Sequence, residues 1–234
     1  MKPKKPVGLN GPVRITLGAD RSEVEFEAID FPKAKEEIEE VIVKGFLRDA
    51  VANNFLPPVS VAPQQNAQDD FDFLLALEGQ KPKELELMEV APLEHLRGSY
   101  AEACPRYKPY DFAEYIKRKI LKKAGRYRTS TGSGLLLLVY VTDWKFVLSD
   151  SVIRLLQHWM ASSSHCFEAI YTYEPIDRLA GVVNVIFPSA PGVGFNPETF
   201  RSLEVEDASP VTGYVSDGKG GIEIKFNFEA SSLK

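Results

Sequence analysis

The feature that most constrains the fold is an unbroken apolar run, Leu135–Val141. Such a run is too short to span a membrane. It is typical of a strand that is covered on both faces of a sheet. Helical patterns flank it, from Asp111 to about Arg126 on one side and from Ser149 or Asp150 to about Met160 on the other. We therefore expect an α+β fold in which a central mixed sheet is flanked by helices.

The other elements are predicted from hydrophobic periodicity and from turn-forming residues. Pro32 opens a helical stretch from Ala34 to about Asn53. Residues 59–69 contain Pro63 and predict a loop or a poor edge strand. Strands are predicted by alternation or by apolar runs at Val13–Leu17, Glu23–Ile29, Phe71–Leu77, Glu84–Ala91, Cys166–Tyr173, Val182–Phe187 and, as the one late strand, Ile222–Phe228.

These elements predict a single domain over residues 1–234. Its expected parts are an N-terminal β-hairpin at 13–30, a core at 33–187 and a loop-rich C-terminal extension with a β-strand at 188–234.

Composition narrows the class of protein. A hydrophobic fraction of 44% is too high for a disordered chain. A net charge of −5 argues against a basic nucleic-acid coat, although not against a local basic patch. Two cysteines, no apolar leader after the basic start and no membrane-spanning run predict a reduced, cytoplasmic protein.

Acidic residues mark the predicted hairpin that joins Phe71–Leu77 to Glu84–Ala91. Adjacent strands lie about 4.8 Å apart, so Asp72 and Glu86 can converge on one divalent cation, which prefers hard oxygen ligands. The alternative is that both acids lie on the solvated side of a two-stranded ribbon.

The helix after this hairpin carries lysines at unusual angles. Each residue advances about 100° around a helix. If Ile116 is set at zero, Lys123 falls near −20°, inside the apolar stripe, and Lys119 falls at its edge near −60°. Such a lysine either extends to solvent or meets a carboxylate cluster, where its ammonium would steady developing negative charge.

The same helix contains the strongest charge bias of the chain. Its cations are Lys117, Arg118, Lys119, Lys122, Lys123, Arg126 and Arg128, with no acid among residues 115–128. Phosphate backbones bind such surfaces by counterion release. The alternative is a solvated face that is balanced by acids elsewhere.

The first helix has a wide apolar arc that includes acids. Glu39 falls beside Phe46 and Ala50, and Asp49 lies near the centre of the arc. Because buried acids usually have a partner or a metal, Glu39 is a further candidate site residue.

This order of elements resembles the restriction-endonuclease-like, or PD-(D/E)XK, core over roughly residues 33–142. The resemblance implies that Asp72 and Glu86 bind Mg²⁺ and activate water. It also implies a lysine at position 88, where this chain has Met88. Some relatives place that lysine on the following helix, which would make Lys119 or Lys123 the substitute; others keep the fold without catalysis.

Three hypotheses follow. The first is a Mg²⁺-dependent nuclease in which Asp72 and Glu86 hold the metal, Glu39 assists, and Lys119 or Lys123 stabilises the phosphate. In it, nucleic acid binds the cations Lys117, Arg118, Lys122, Arg126 and Arg128. The second is a catalytically inactive binding or assembly module on the same fold. The third is a small-molecule enzyme on an unrelated mixed sheet, with residues 188–221 as a lid. The sequence leaves open whether the protein forms a homodimer.

Overall fold

The computed structural model describes residues 8, 10–17, 22–66, 71–91, 107–127, 134–189, 192, 194–203, 211–216 and 222–226. The helices are α1 (Lys35–Ala52), α2 (Pro109–Ala124) and α3 (Asp150–Ser162). The strands are β1 (Val13–Leu17), β2 (Ser22–Phe26), β3 (Val59–Gln65), β4 (Phe73–Leu77), β5 (Lys83–Glu89), β6 (Leu135–Tyr140), β7 (Ala169–Pro175), β8 (Gly181–Phe187), β9 (Val211–Ser216) and β10 (Ile222–Phe226).

A six-stranded mixed sheet forms the centre of the molecule. Its order is β3-β4-β5-β6-β7-β8. Strands β5, β6 and β7 are parallel, whereas β3 with β4, β4 with β5, and β7 with β8 pair antiparallel. Strand β6 is therefore central and is buried along its whole length, as the apolar run predicts.

Helices cover both faces of this sheet. Leu136, Leu138 and Tyr140 pack into one apolar cluster with α1. Leu135, Leu137 and Val139 pack into the other cluster, with α2 and α3. Side chains alternate along a strand, so a continuous apolar run supplies both layers. The predicted α+β fold is confirmed.

Helix α2 begins at Pro109, two residues before Asp111, where the sequence predicts its start. Pro109 occupies the first turn, where its missing N–H costs no hydrogen bond, and Asp111 lies inside that turn. The Asp111 charge is favourable there because the N-terminal end of a helix dipole is positive. Helix α3 is capped as predicted, since the Ser149 side chain accepts a hydrogen bond from the Val152 N–H.

The edge-strand alternative for residues 59–69 is confirmed, whereas the prediction for the C-terminal strands needs correction. Residues 59–65 form β3, an edge strand that tolerates Pro63 because the pairing with β4 shifts register between Val61 and Gln64. The prediction of one late strand is wrong, because β9 pairs with β10. Both join the N-terminal hairpin in a second sheet of order β2-β1-β10-β9.

Among the described residues, the structure contains no helix that is both long enough and apolar enough to cross a membrane.

Candidate functional site

The antiparallel pairing of β4 and β5 brings the two predicted acids together. The Asp72 N–H donates to the Leu85 carbonyl at 3.1 Å, and Asp72 Oδ2 accepts from the Leu87 N–H at 2.7 Å. Asp72 is thus bonded to the residues on either side of Glu86 and lies across from it. Because Phe73 pairs with Leu85 in this register, Asp72 and Glu86 share the sheet face that α2 covers.

Glu86 is a buried carboxylate with a cationic partner. Its residue is 5% exposed, so the solvated-ribbon alternative is wrong for Glu86. Lys123, in the last turn of α2, places its ammonium on Glu86 Oε1 as an ion pair. The angular position of Lys123 inside the apolar stripe therefore corresponds to a lysine that meets a carboxylate rather than one that extends to solvent.

Tyr127 completes this group. Its side chain forms a hydrogen bond with Glu86. Burial raises the pKa of Tyr127 most, and the bond to Glu86 together with the negative charges of Glu86 and Asp72 raises it further. We call Asp72, Glu86, Lys123 and Tyr127 the carboxylate site. Tyr127 is not among the site residues that the sequence predicts. On the same angular count it falls near 20°, beside Lys123, and that angle was the available signal for its position.

Glu39 lies on α1, which covers the sheet face opposite to the carboxylate site. It is 5% exposed on α1, and its Oε1 lies 3.1 Å from the Lys35 ammonium. Burial alone would lower the pKa of Lys35, but the Glu39 carboxylate and, more weakly, the Asp72 charge raise it. Glu39 is therefore the direct partner of Lys35, and Asp72 adds only a weaker electrostatic effect on that lysine. The sequence signal for Lys35 was its spacing of four residues from Glu39.

The second acid in the α1 arc has a structural partner. The Arg48 guanidinium donates two hydrogen bonds to Asp49, at 2.7 Å and 2.6 Å, and the Tyr173 hydroxyl donates to Asp49 Oδ2 at 3.4 Å. These bonds account for the burial of Asp49 without a ligand.

The remaining lysine candidates differ in their surroundings. The Lys119 ammonium lies 5.2 Å from the centroid of the Tyr115 ring, a cation–π contact. Met88, at the position where the resemblance implies lysine, packs against the apolar cluster between the sheet and helices α2 and α3. The structure brings Lys123 onto Glu86 and leaves position 88 apolar.

The predicted nucleic-acid contacts separate into two groups. Arg118, Lys122 and Arg126 are exposed, and their spacing puts them on the outer side of α2 and just beyond its end. We call these three residues the basic face. Lys117 instead turns toward α3, with its ammonium 4.8 Å from the Trp159 ring centroid. Arg128 lies outside the described residues.

The donor set of the carboxylate site can be compared with the needs of a divalent cation. Within the described ranges, no group of three or more His, Cys, Asp or Glu side chains is arranged to hold a metal. Mg²⁺, however, is commonly bound through one or two carboxylates together with water and substrate phosphate. Asp72 and Glu86 fit that smaller donor set, although Lys123 occupies one oxygen of Glu86.

Part of the proposed lid, residues 188–221, lies outside the described residues, so the third hypothesis stays a prediction. No family model matches the sequence, and no curated protein matches it either.

Proposed function

We propose that this protein is a Mg²⁺-dependent hydrolase of nucleic-acid phosphodiesters. The observation that carries this proposal is the convergence of two carboxylates from paired strands with an ammonium from the next helix. Asp72 and Glu86 supply hard oxygen ligands, and Lys123 supplies a positive charge beside them. Phosphodiester hydrolysis needs both, because negative charge develops on the phosphoryl oxygens while water attacks.

Each side chain has a distinct role in this proposal. A bound Mg²⁺ would polarise the phosphate and lower the pKa of the attacking water. The backbone N–H of Leu87 fixes one oxygen of Asp72, which orients the other oxygen for a ligand. Tyr127 holds the Glu86 carboxylate in place from a second direction. When its ammonium contacts both Glu86 and the substrate, Lys123 stabilises the negative charge that develops on the phosphate.

The order of elements supports the proposal. An acid-bearing helix, an antiparallel meander, a lysine-rich helix and a parallel strand follow one another as α1, β3–β5, α2 and β6. This is the order in the restriction-endonuclease-like core that the sequence resembles. In this interpretation Lys123 replaces the lysine that the motif would place at Met88, because its ammonium reaches the same carboxylate from the helix.

The basic face adds a means of holding the substrate. Arg118 and Lys122 lie on the same helix as Lys123, and Arg126 follows just beyond the helix end, so phosphates bound along these three cations would be held near the carboxylate site. Lys117 is the weaker candidate, since its ammonium already lies against Trp159. The cytoplasmic location and the homodimer that the sequence analysis considers are proposals as well.

A specific observation favours a second candidate, a catalytically inactive module on the same fold. Glu86 is neutralised by Lys123, and Met88 supplies neither a charge nor a hydrogen-bond donor. In such a protein the ion pair would only stabilise the packing of α2 on β5, and the basic face would bind nucleic acid without turnover.

A cleavage assay separates the two candidates. Single-stranded and double-stranded DNA and RNA are incubated with the protein in Mg²⁺, Ca²⁺ or EDTA. We expect Mg²⁺-dependent products that Asp72→Asn reduces by about a hundredfold or more, since it removes the negative charge from one of the two carboxylate ligands. Asp111→Asn, an exposed acid at the far end of α2, is the matched control. Salt-sensitive binding without any product would support the inactive module, and products that are indifferent to Asp72 would overturn the hydrolase proposal.

A further inference from the structure

The ammonium of Lys123 lies on an oxygen that a bound Mg²⁺ would also use. Lys123 Nζ contacts Glu86 Oε1, and both side chains are largely buried. Glu86 is one of the two carboxylates that the proposed function assigns to the metal. An ammonium and a divalent cation bind the same lone pairs of a carboxylate oxygen. Lys123 and the metal therefore compete for Glu86.

The other contacts of the carboxylate site are fixed or uncharged. Asp72 Oδ2 accepts from the backbone N–H of Leu87 at 2.7 Å, and Leu87 is held within β5. Tyr127 contacts Glu86 through a neutral phenol. A carboxylate that binds a metal can keep hydrogen bonds from neutral donors, whereas two cations on one carboxylate repel each other. Lys123 is thus the contact that metal binding disturbs most.

The position of Lys123 gives its ammonium a route to solvent. Lys123 lies in the last turn of α2, and its side chain keeps 17% of its exposed surface, against 7% for Glu86. The preceding residue, Lys122, is exposed. A lysine has a flexible four-carbon stem, so the ammonium can turn outward while the helix stays in place. Both positions that the sequence allows for Lys123, solvent and a carboxylate, are therefore within its reach.

The balance of charge favours such a movement. Asp72 and Glu86 bring two negative charges as carboxylates, and Lys123 offsets one of them. A divalent cation offsets both, so an ammonium that stayed in place would be a surplus positive charge in poorly solvated surroundings, which is costly. Release of the ammonium restores the balance and leaves it free for an anionic phosphate.

We infer that Lys123 is an internal competitor of the metal, which leaves Glu86 when Mg²⁺ binds and then faces the substrate phosphate; this inference rests on the proposed function. The apparent affinity for Mg²⁺ is then lower than that of the two carboxylates alone, because Glu86 must first lose its partner. Mg²⁺ and the phosphate also strengthen the binding of each other, since each favours the released ammonium.

The reactivity of Lys123 toward an acylating reagent measures its release without requiring catalysis. The unaltered full chain is treated briefly with N-hydroxysuccinimidyl acetate in EDTA or in saturating Mg²⁺, and mass spectrometry gives the acetylation rate at each lysine. We expect Mg²⁺ to raise the rate at Lys123 about fivefold, because the side chain gains the exposure that the ion pair withholds. Exposed Lys122 should keep its rate. A rate at Lys123 that does not rise with Mg²⁺ overturns the inference.

Carboxylate variants show whether the rise comes from the proposed metal site. Asp72→Asn weakens metal binding and should remove most of the rise at Lys123. Asp111→Asn, at the far end of α2, should preserve it. A rise that persists in full in Asp72→Asn overturns the inference, because Lys123 then responds to Mg²⁺ bound elsewhere.

Removal of the competitor gives a second, independent readout. Mn²⁺ serves as a paramagnetic substitute for Mg²⁺, and electron paramagnetic resonance measures the free ion. We expect Lys123→Met to bind Mn²⁺ about tenfold more tightly, because Glu86 is no longer paired. Lys122→Met makes the same change of charge one residue away and should alter the affinity by less than about twofold. Equal effects of the two variants, or weaker binding by Lys123→Met, overturn the inference. The acetylation rates of the unaltered protein decide the matter if Lys123→Met does not fold.

Cleavage assays on the same proteins distinguish failure of this inference from failure of the proposed function. Mg²⁺-dependent cleavage that requires Asp72, with no rise in the reactivity of Lys123, overturns the competitor role alone. A rise at Lys123 that Asp72→Asn removes, without cleavage by the unaltered protein, supports the competitor role and overturns the hydrolase proposal. Absence of both the rise and the cleavage overturns both.

Discussion

Lys123 on α2 and Glu86 on β5 form an ion pair whose two side chains retain only 17% and 7% of their exposed surface. The pair joins the last turn of a helix to the interior of the sheet. Removal of one partner leaves the other as a poorly solvated charge, which is costly. The pair therefore serves the packing of α2 on the sheet and, in our proposal, the chemistry of the carboxylate site.

The first prediction concerns stability. Lys123→Met should lower the free energy of unfolding by about 2–4 kcal/mol, because Glu86 is left buried without its cation. Lys122→Met, an exposed lysine in the same turn, should change it by less than about 0.5 kcal/mol. Urea unfolding followed by circular dichroism measures both. Lys123→Met/Glu86→Leu should recover much of the loss, and equal effects of the two lysine variants would contradict a buried pair.

The second prediction tests whether Lys123 replaces the motif lysine. Lys123→Met should reduce Mg²⁺-dependent cleavage by about a hundredfold or more, the loss typical of one charge-stabilising donor. Met88→Lys in that background should restore part of the rate, because position 88 lies two residues from Glu86 on the same strand face. Single-turnover cleavage rates measure the rescue. Met88→Leu/Lys123→Met is the control and should restore nothing.

The third prediction concerns the basic face. Arg118→Ala, Lys122→Ala and Arg126→Ala should each weaken binding of single-stranded DNA and reduce the slope of log K against log salt by about 0.7. Lys44→Ala provides the control, because Lys44 is an exposed lysine on α1 that pairs with Glu40. Fluorescence anisotropy over a range of salt concentrations gives the slopes. If none of the three variants changes the salt slope, nucleic acid binds a surface other than the basic face.

The fourth prediction uses the raised pKa of Tyr127. In the folded state the Tyr127 phenol keeps its proton above pH 10, where the unfolded chain releases it. The contribution of this proton to the free energy of unfolding is therefore present below pH 10 and is lost as pH rises further. Tyr127→Phe should therefore show a smaller loss of stability between pH 9 and about 11. Tyr110→Phe is the control, because it removes a hydroxyl that accepts a hydrogen bond from exposed Arg201. This variant should lose as much stability over the same pH range as the unaltered protein. Urea midpoints at both pH values provide the comparison.

The fifth prediction concerns Glu174, a buried acid in β7. Burial raises the pKa of Glu174 to about 8, and the hydrogen bond from the Leu148 N–H opposes that rise. Because the folded state holds this proton more tightly, the contribution of Glu174 is present below pH 4.5 and is lost as pH rises toward 8.

Glu174→Gln keeps an oxygen for Leu148 and cannot ionise. We expect it to raise the free energy of unfolding at pH 8 by about 2 kcal/mol or more relative to its effect at pH 5. Urea unfolding at the two pH values tests this difference. Glu168→Gln, at an exposed position just before β7, should show no such gain. A Glu174→Gln effect that is independent of pH would mean that Glu174 is ionised throughout.

Sequence periodicity determined the parts of the molecule that depend on neighbouring residues. The unbroken run in β6 indicated a strand covered on both faces, because alternate side chains need two apolar layers. The helical angle placed Lys123 inside the apolar stripe of α2, and strand alternation placed Asp72 and Glu86 where a hairpin could bring them together. Each of these follows from a period that the chain carries locally.

Only the tertiary structure decided which of the possible partners meet. It paired Lys123 and Tyr127 with Glu86, and it joined β9 to a second sheet. These contacts depend on how elements far apart in the chain pack against each other. Local pattern carries no information on that packing, because many arrangements bury the same apolar faces.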